Sequence, residues 1–218
     1  MDNKELQQQL SLTYKNEAVL MQAFIHRSYS NEHKGTGLEH NERLEFLGDA
    51  VLELIVTEYL FARFPESPEG DLTAYRSALV NTVSLAEASL RLQFEKYLLL
   101  SKGEARDQGR AQQNILANTF ESFIGSLYLD QGYDAAKKFI AENLLGTLDA
   151  IIQSQSHKDA KSFVQEKAQE IYKVTPLYKT VSDTGPDHDK CFVVAIYFGE
   201  NKIAEGTGKS KQEAEQVA

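Results

Sequence analysis

Four carboxylates interrupt a largely apolar segment, NERLEFLGDAVLELI, at residues 41–55. At about 100° per residue around a helix, Glu42, Glu45 and Asp49 fall on one narrow stripe, with Glu53 further along. The stripe contains no basic residue, so its neighbouring carboxylates repel one another. Its flanking positions are strongly apolar, which favours a cleft over an open surface for these acids.

An acidic stripe of this kind is either a solvated helix face or a site for a hard cation. Mg²⁺ prefers oxygen ligands and keeps several waters and substrate phosphates around it. A metal held in this way polarises a phosphoryl oxygen and makes hydroxide available from bound water. The pattern therefore favours phosphate chemistry over sugar hydrolysis, which requires only two carboxylates at a set separation. A second acidic helix, centred on Glu121, is expected to complete the site.

The segments that position these acids predict an all-α domain over residues 1–152. Apolar residues recur at a helical period in three long stretches, and polar segments containing proline or glycine separate them. The last of these helices is expected to break at the Asp130–Gln131–Gly132 turn. The predicted helices span 16–29, 73–92 and 114–145, and the predicted loops span 63–72 and 101–113.

A polar linker over residues 153–158 leads to a second domain of a different class. Residues 159–218 predict a small α+β unit in the order α-β-β-β-α. In KCFVVAIYF, residues 190–198, the side chains alternate as in a strand, and Gly199–Glu200–Asn201 is a hairpin turn. The outer strands are expected at 176–182 and 202–208, and the helices at 160–171 and 209–218.

The chain of 218 residues has a formal net charge of −9, most of it in the N-terminal domain. This charge argues against nucleic-acid binding through bulk positive charge, so such contacts require local basic clusters or recruited cations. No apolar run is long enough to span a membrane, and the start lacks the layout of a signal peptide. The single cysteine, Cys191, is expected to be buried in a strand and forms no internal disulfide, which favours a cytoplasmic location.

Recognisable motifs cover nearly the whole chain. NERLEFLGDAVL closely resembles the signature of the ribonuclease III family, and ILANTFESFIGSLYLDQGY resembles the second catalytic helix of that family. HRSYSNEH, EGDLTAYRSALVN and the SKGE…GR loop match further segments. The C-terminal unit resembles a double-stranded-RNA-binding domain in FVQEKAQE, GPDHDKCF and GTGKSKQEAEQ. The order of the two domains is that of bacterial ribonuclease III.

The resemblance implies Mg²⁺-dependent hydrolysis of both strands of an RNA duplex, leaving 5′-phosphate and 3′-hydroxyl ends. Mn²⁺ is expected to substitute for Mg²⁺, and no small-molecule cofactor is expected. The implied work is the maturation of ribosomal RNA precursors and the processing of messenger RNA in the cytoplasm, by a homodimer without membrane attachment. Family members run on past the position of Ala218, so the last helix is expected to continue beyond it.

The resemblance also assigns the catalytic and metal-binding residues. Glu45 and Asp49 match metal ligands, Glu42 matches a supporting acid nearby, and Glu121 matches the glutamate of the second catalytic helix. Asn118 stands where the family has an aspartate, which removes one negative charge from the expected ligand set of Glu45, Asp49, Asn118 and Glu121. Two outcomes are open: an active enzyme that tolerates asparagine, or a weakened or inactive protein that binds duplex RNA without cutting it.

Two further residues have both a functional and an ordinary interpretation. Phe46 matches a family position at the dimer interface, although a core phenylalanine is an equal alternative. Glu69 resembles a position near RNA, or is a simple charge at a helix N-terminus.

Duplex RNA is recognised mainly by shape, across two minor grooves and the phosphates between them. By resemblance, the first helix of the C-terminal unit reaches 2′-hydroxyls and the GPDHDK loop enters a minor groove. The GKSKQ segment is expected to seat a phosphate with two lysines and free backbone N–H groups, although glutamine stands where the family usually has a second adjacent base. The expected RNA-binding residues are Gln165, Glu166, Pro186, His188, Lys209, Lys211 and Gln212.

Overall fold

The computed structural model describes residues 3–35, 37–106, 109–154, 160–186 and 190–218. The contacts divide the chain into two units, Met1–Ser154 and Gln155–Ala218. The first unit is helical, and the second combines two helices with one antiparallel sheet. The predicted fold class, an all-α domain followed by a small α+β domain, is therefore confirmed.

The first unit is built from helices α1 to α9, which are joined by short loops and 3₁₀ turns. Helices α4 and α7, of 22 residues each, pack against each other and carry the acidic residues. The helices are α1 Asn3–Gln9, α2 Glu17–Ala23, α3 Arg27–Glu32, α4 Glu42–Arg63, α5 Glu69–Val80, α6 Thr82–Arg91, α7 Arg110–Gln131, α8 Tyr133–Asn143 and α9 Leu148–Ser154, with 3₁₀ turns at Phe94–Lys96, Glu104–Arg106 and Leu145–Thr147.

Large apolar side chains from α4 and α7 form the centre of the core of this unit. Leu52 and Ile55 of α4 and Phe120 and Phe123 of α7 are fully buried. The ring of Phe123 packs 5.0 Å from that of Phe94, between centroids. Burying a side chain of this size contributes about 1.5–3 kcal/mol to the free energy of folding. These residues therefore stabilise the packing of α4 against α7.

Helix boundaries show where side-chain capping overrides apolar periodicity. The predicted single helix over 73–92 is wrong, because Asn81 has an extended backbone and accepts a hydrogen bond from the Ser84 amide at 2.9 Å. This cap starts α6 as a separate helix. The predicted helix over 16–29 likewise divides into α2 and α3. The predicted break at Gly132 is confirmed, with a φ of +85° there.

The second unit has the predicted element order. Its strands pair in the order β1-β2-β3, antiparallel throughout, with Lys179 opposite Ala195 and Ala195 opposite Glu205. Val194 is buried in β2 and contributes to the small core beneath the helices. The elements are α10 Ala160–Tyr172, β1 Leu177–Thr184, β2 Cys191–Phe198, β3 Asn201–Gly208 and α11 Lys211–Val217.

Cys191 corrects one expectation from the sequence. It is exposed, because it is the first residue of β2 and lies at the end of the strand. The prediction of a buried cysteine is therefore wrong. Within the described ranges, none of the helices combines the length and apolar character needed to cross a membrane.

Candidate active site

Two glycines bring the backbones of α4 and α7 into direct contact. A Cβ atom on Gly48 would lie 1.7 Å from the carbonyl oxygen of Glu121, and a Cβ atom on Gly125 would lie 2.2 Å from the carbonyl oxygen of Leu44. No residue with a side chain fits at either position without separating the helices. The close crossing places the acidic stripe of α4 beside the middle of α7.

The start of α4 is anchored by Asn41. Its side chain is buried and donates a hydrogen bond to the carbonyl oxygen of Ala23 at 3.2 Å. Its backbone N–H donates to Ile25 O at 2.9 Å, and its own carbonyl accepts from Ser122 Oγ at 3.4 Å. These contacts tie α4 to the end of α2 and to α7, so the first carboxylates of α4 are held in a fixed place.

Three of the predicted site carboxylates interact across this crossing. Burial raises the pKa of Glu121 to about 8, and the charges of Asp49 and Glu45 add to the effect. Burial also raises the pKa of Glu45, with a further contribution from the charge of Glu42. Glu45 and Glu121 are half-buried and Asp49 is exposed, and their charges lie near enough to raise the pKa of Glu121.

The chemistry of this donor set fits a hard divalent cation. Carboxylate oxygens are the ligands that Mg²⁺ prefers, and a cation would relieve the repulsion that raises the pKa of Glu121. Among the described residues, no three His, Cys, Asp or Glu side chains form a ready metal cluster. The side chains of Glu45, Asp49 and Glu121 would therefore have to draw together around an ion.

Glu42 has a partner that the helix pattern alone did not reveal. The guanidinium Nη1 of Arg27, on α3, lies 3.2 Å from Glu42 Oε1, and His40 Nδ1 lies 3.7 Å from Glu42 Oε2. The stripe itself contains no basic residue, but these two neighbours offset the repulsion that was expected at Glu42. The partner comes from another helix, where periodicity within α4 gives no signal of it.

Asn118 meets Glu45 across the crossing. It is half-buried on α7, one turn before Glu121, and its side-chain amide acts to lower the pKa of the Glu45 carboxyl, against the larger opposite effect of burial. All four residues of the expected ligand set therefore lie on the facing surfaces of α4 and α7.

Phe46 is 81% exposed, so the interpretation of this residue as part of the core is wrong. It borders an open groove of about 620 Å³ that is also lined by Leu129, itself 56% exposed. Isolated exposed apolar residues are common, but an exposed aromatic ring beside an apolar groove marks an interaction surface. The groove is lined by Gln22, Glu39, His40, Glu42, Arg43, Leu44, Phe46, Leu47 and Leu129.

In the second unit, two backbone N–H groups in the segment predicted to bind a phosphate already donate to side chains of this chain. Ser210 caps α11 by accepting a hydrogen bond from the Glu213 amide at 3.1 Å. The backbone N–H of Lys209 donates to the Glu213 carboxylate at 2.6 Å. The expectation of free backbone N–H groups is therefore wrong for Lys209 and Glu213. The side chains of Lys209 and Lys211 are exposed, as phosphate contacts require.

The other residues expected to bind RNA are exposed where the structure describes their side chains. Gln165 is exposed on α10, Pro186 is exposed after β1, and Gln212 is exposed in the first turn of α11. His188 and the side chain of Glu166 lie outside the described residues.

Both units of the chain are similar to known proteins. Residues 16–148 match the family described as Ribonuclease-III-like, and residues 160–218 match the double-stranded RNA binding motif. The chain is 45% identical to Ribonuclease 3 of Enterococcus faecalis, over 100% of this chain and 96% of that protein. It is 44% identical to Ribonuclease 3 of Geobacillus thermodenitrificans, over 99% of this chain and 87% of that protein.

A solved structure is similar to the first unit. The nuclease domain of ribonuclease III from Campylobacter jejuni is 38% identical with a TM-score of 0.58, over 64% of this chain and 93% of that chain. That structure is described as flexible in a region involved in dimer formation.

Proposed function

The chain belongs to the ribonuclease III family of double-strand-specific endoribonucleases, and we propose that it hydrolyses both strands of an RNA duplex to leave 5′-phosphate and 3′-hydroxyl ends. The observation that carries the proposal is the meeting of Glu45, Asp49 and Glu121 at the α4–α7 crossing. The match of residues 160–218 to a double-stranded RNA binding motif supports the substrate class. The natural targets are ribosomal RNA precursors and structured messenger RNA in the cytoplasm.

The carboxylates of Glu45, Asp49 and Glu121 would hold a divalent cation, which we propose to be Mg²⁺, with Mn²⁺ able to replace it. When bound, the cation polarises the phosphoryl oxygen and lowers the pKa of bound water. Glu121 must lose its proton to act as a ligand, and its raised pKa means that this proton is retained in the metal-free protein up to about pH 8. Gly48 keeps the two helices close enough for both to contribute ligands.

Glu42 supports the site from its edge. Its ion pair with Arg27 places a guanidinium beside the first turn of α4, and the Arg27 side chain is 65% exposed. An arginine in this position can contact an RNA phosphate while the pair keeps the guanidinium oriented. Glu42 therefore orients Arg27 and adds its negative charge to those of the other carboxylates in the site.

The alternative of a duplex-RNA binder that does not cut finds no support. It rests only on Asn118, and the three carboxylates around that residue are all present and interact with one another. Relatives that match this chain over almost its full length are named Ribonuclease 3.

The second unit holds the duplex by its shape. Lys209 and Lys211 contact phosphates between two minor grooves, with Gln165 and Glu166 at one groove and the loop containing Pro186 and His188 at the other. The exposure of the two lysine side chains supports this assignment. Gln212 adds no charge to the phosphate contact, and the Glu213 carboxylate beside Lys209 weakens it further.

Phe46 and its groove form the interface of a homodimer. The exposed ring gains burial against a second copy, and the groove beside it offers apolar surface from Leu47 and Leu129. A two-fold pair also presents two equivalent sites to the two strands of a duplex. The similarity to a nuclease domain described with a region involved in dimer formation supports the proposal.

The test is incubation of the full chain with a long RNA duplex, with Mg²⁺ and with a chelator. Short duplex products that form only with Mg²⁺ are expected. A single-stranded RNA of the same sequence serves as the control and should remain intact. An uncut, retarded complex under both conditions would contradict the enzymatic proposal and favour a binding protein.

A further inference from the structure

The groove beside Phe46 combines apolar and charged side chains. Leu47 and Leu129 are among its apolar residues, and Glu39 and Arg43 are exposed charged residues that also line it. A two-fold interface brings the same patch of two identical chains together. A patch that carries both an anion and a cation beside apolar surface can therefore complement a second copy of itself.

The guanidinium of Arg43 has no partner within the described part of the chain. None of the ion pairs or hydrogen bonds there involves its side chain. The neighbouring acid on α4, Glu42, is already paired with Arg27 at 3.2 Å and lies 3.7 Å from His40. The charge of Arg43 is therefore available to a second molecule.

The carboxylate of Glu39 is oriented but keeps its charge. Gln22 Nε2 donates hydrogen bonds to Glu39 Oε2 at 3.3 Å and to the carbonyl oxygen of His40 at 3.1 Å. An amide is neutral, so it orients the carboxylate without neutralising it. Arg43 lies four residues further along the same chain and does not pair with it. Within the described ranges, Glu39 is thus the acid of the groove that lacks a cationic partner.

We propose that Arg43 of each chain forms an ion pair with Glu39 of a second copy, and that this pair, made twice across a two-fold interface, selects which surfaces associate. Arg43 lies three residues before Phe46, so both side chains lie on one side of α4. A Phe46 ring that packs into the groove of the second copy brings Arg43 to that groove, where Glu39 is the unpaired acid. The inference rests on the proposed homodimer.

Charge reversal tests the pair by sedimentation of the full chain without RNA. Glu39→Arg alone and Arg43→Glu alone should each raise the dissociation constant of the dimer about a hundredfold, because each reversal places like charges together at two symmetric contacts. An equimolar mixture of the two variants should associate like wild type. In that heterodimer one contact joins the two reversed residues and the other joins the two unchanged residues, so both contacts hold opposite charges.

The chain that carries both reversals distinguishes pairing between copies from pairing within one chain. It should form a dimer like wild type, because opposite charges meet again at both contacts. If this double variant dimerises and the equimolar mixture does not, Glu39 and Arg43 pair within one chain and the inference is overturned. Glu95→Arg is the control and should dimerise like wild type, since Glu95 is exposed on the 3₁₀ turn Phe94–Lys96 and lies outside the residues that line the groove.

Sedimentation of the wild-type chain and of Phe46→Asp separates failure of this inference from failure of the proposed dimer. If the wild type is a dimer that Phe46→Asp disrupts, while both single charge reversals dimerise like wild type, only the ion pair is overturned. If the wild-type chain is a monomer at every concentration, the proposed dimer is wrong and the ion pair is wrong with it.

Discussion

Burial and charge repulsion act together on Glu121. They raise its pKa to about 8, whereas the same group in the unfolded chain titrates near the ordinary value of 4.5. Between these values the folded protein holds a proton that the unfolded chain releases. The free energy of unfolding of the metal-free protein therefore falls as the pH rises through this window.

This linkage predicts a difference between wild type and Glu121→Gln. The melting temperature of the metal-free wild-type protein should fall between about pH 5 and pH 8 by more than that of the variant, which has no proton to lose. Thermal unfolding in a chelating buffer measures both. Added Mg²⁺ should restore stability to wild type at pH 8. Parallel pH profiles of the two proteins would contradict the assignment.

At the scale of elements, the α4–α7 crossing depends on a glycine at position 48. A methyl group there would overlap the Glu121 carbonyl, so α4 and α7 must separate. Overpacking of this kind costs about 1–3 kcal/mol, and separation also moves Glu45 and Asp49 away from Glu121.

Gly48→Ala is therefore expected to lower both the melting temperature and the rate of duplex cleavage. Gly70→Ala is the matched control, because Gly70 also lies in a helix and a Cβ atom there would meet nothing within 4 Å. Thermal unfolding measures the melting temperature of both variants, and a cleavage assay measures their rates on duplex RNA. Equal behaviour of Gly48→Ala and Gly70→Ala would show that the close crossing is not required.

In the second unit, the segment before α11 carries the proposed phosphate contact. Replacing Lys209 and Lys211 with alanine should weaken binding to all duplex sequences alike and reduce the salt dependence of binding, by roughly one unit of slope for each lost contact. Binding is measured in a chelating buffer at several salt concentrations.

Lys202→Ala is the control for these lysines. Lys202 lies at the start of β3, the opposite end of that strand from Lys209, and pairs with Glu205. The Lys202→Ala variant should leave the salt dependence of duplex binding unchanged. A loss of binding confined to some duplex sequences in the double lysine variant would contradict recognition by shape.

The sequence predicts which helices carry the site residues, but it does not predict the contacts that other helices make with them. The apolar periods and the motifs place Glu45, Asp49 and Glu121 on two helices, and the structure brings those residues together. Periodicity within one helix carries no information about Arg27, which reaches Glu42 from α3. The backbone contact at Gly48 depends on the position of a second helix, so it could not be predicted from a local pattern.

At the scale of the whole molecule, the proposed dimer depends on Phe46. Phe46→Asp should shift the full chain from dimer to monomer, because a charge replaces an apolar ring that gains burial in the interface. Sedimentation at several protein concentrations measures the change. Val83→Asp, at a half-exposed apolar position on α6, should leave the dimer intact. A wild-type chain that sediments as a monomer would contradict the dimer.

Cleavage of duplex RNA is proposed to depend on the carboxylates at the α4–α7 crossing. The most direct test is the cleavage rate of Asp49→Asn beside that of Glu53→Gln, which removes a carboxylate from an exposed position further along α4. Asp49→Asn should lose about a hundredfold or more in rate while still binding the duplex, since a bound cation supplies several kcal/mol of transition-state stabilisation. Glu53→Gln should cut like wild type. Cleavage by Asp49→Asn at the wild-type rate would contradict a catalytic role for these carboxylates.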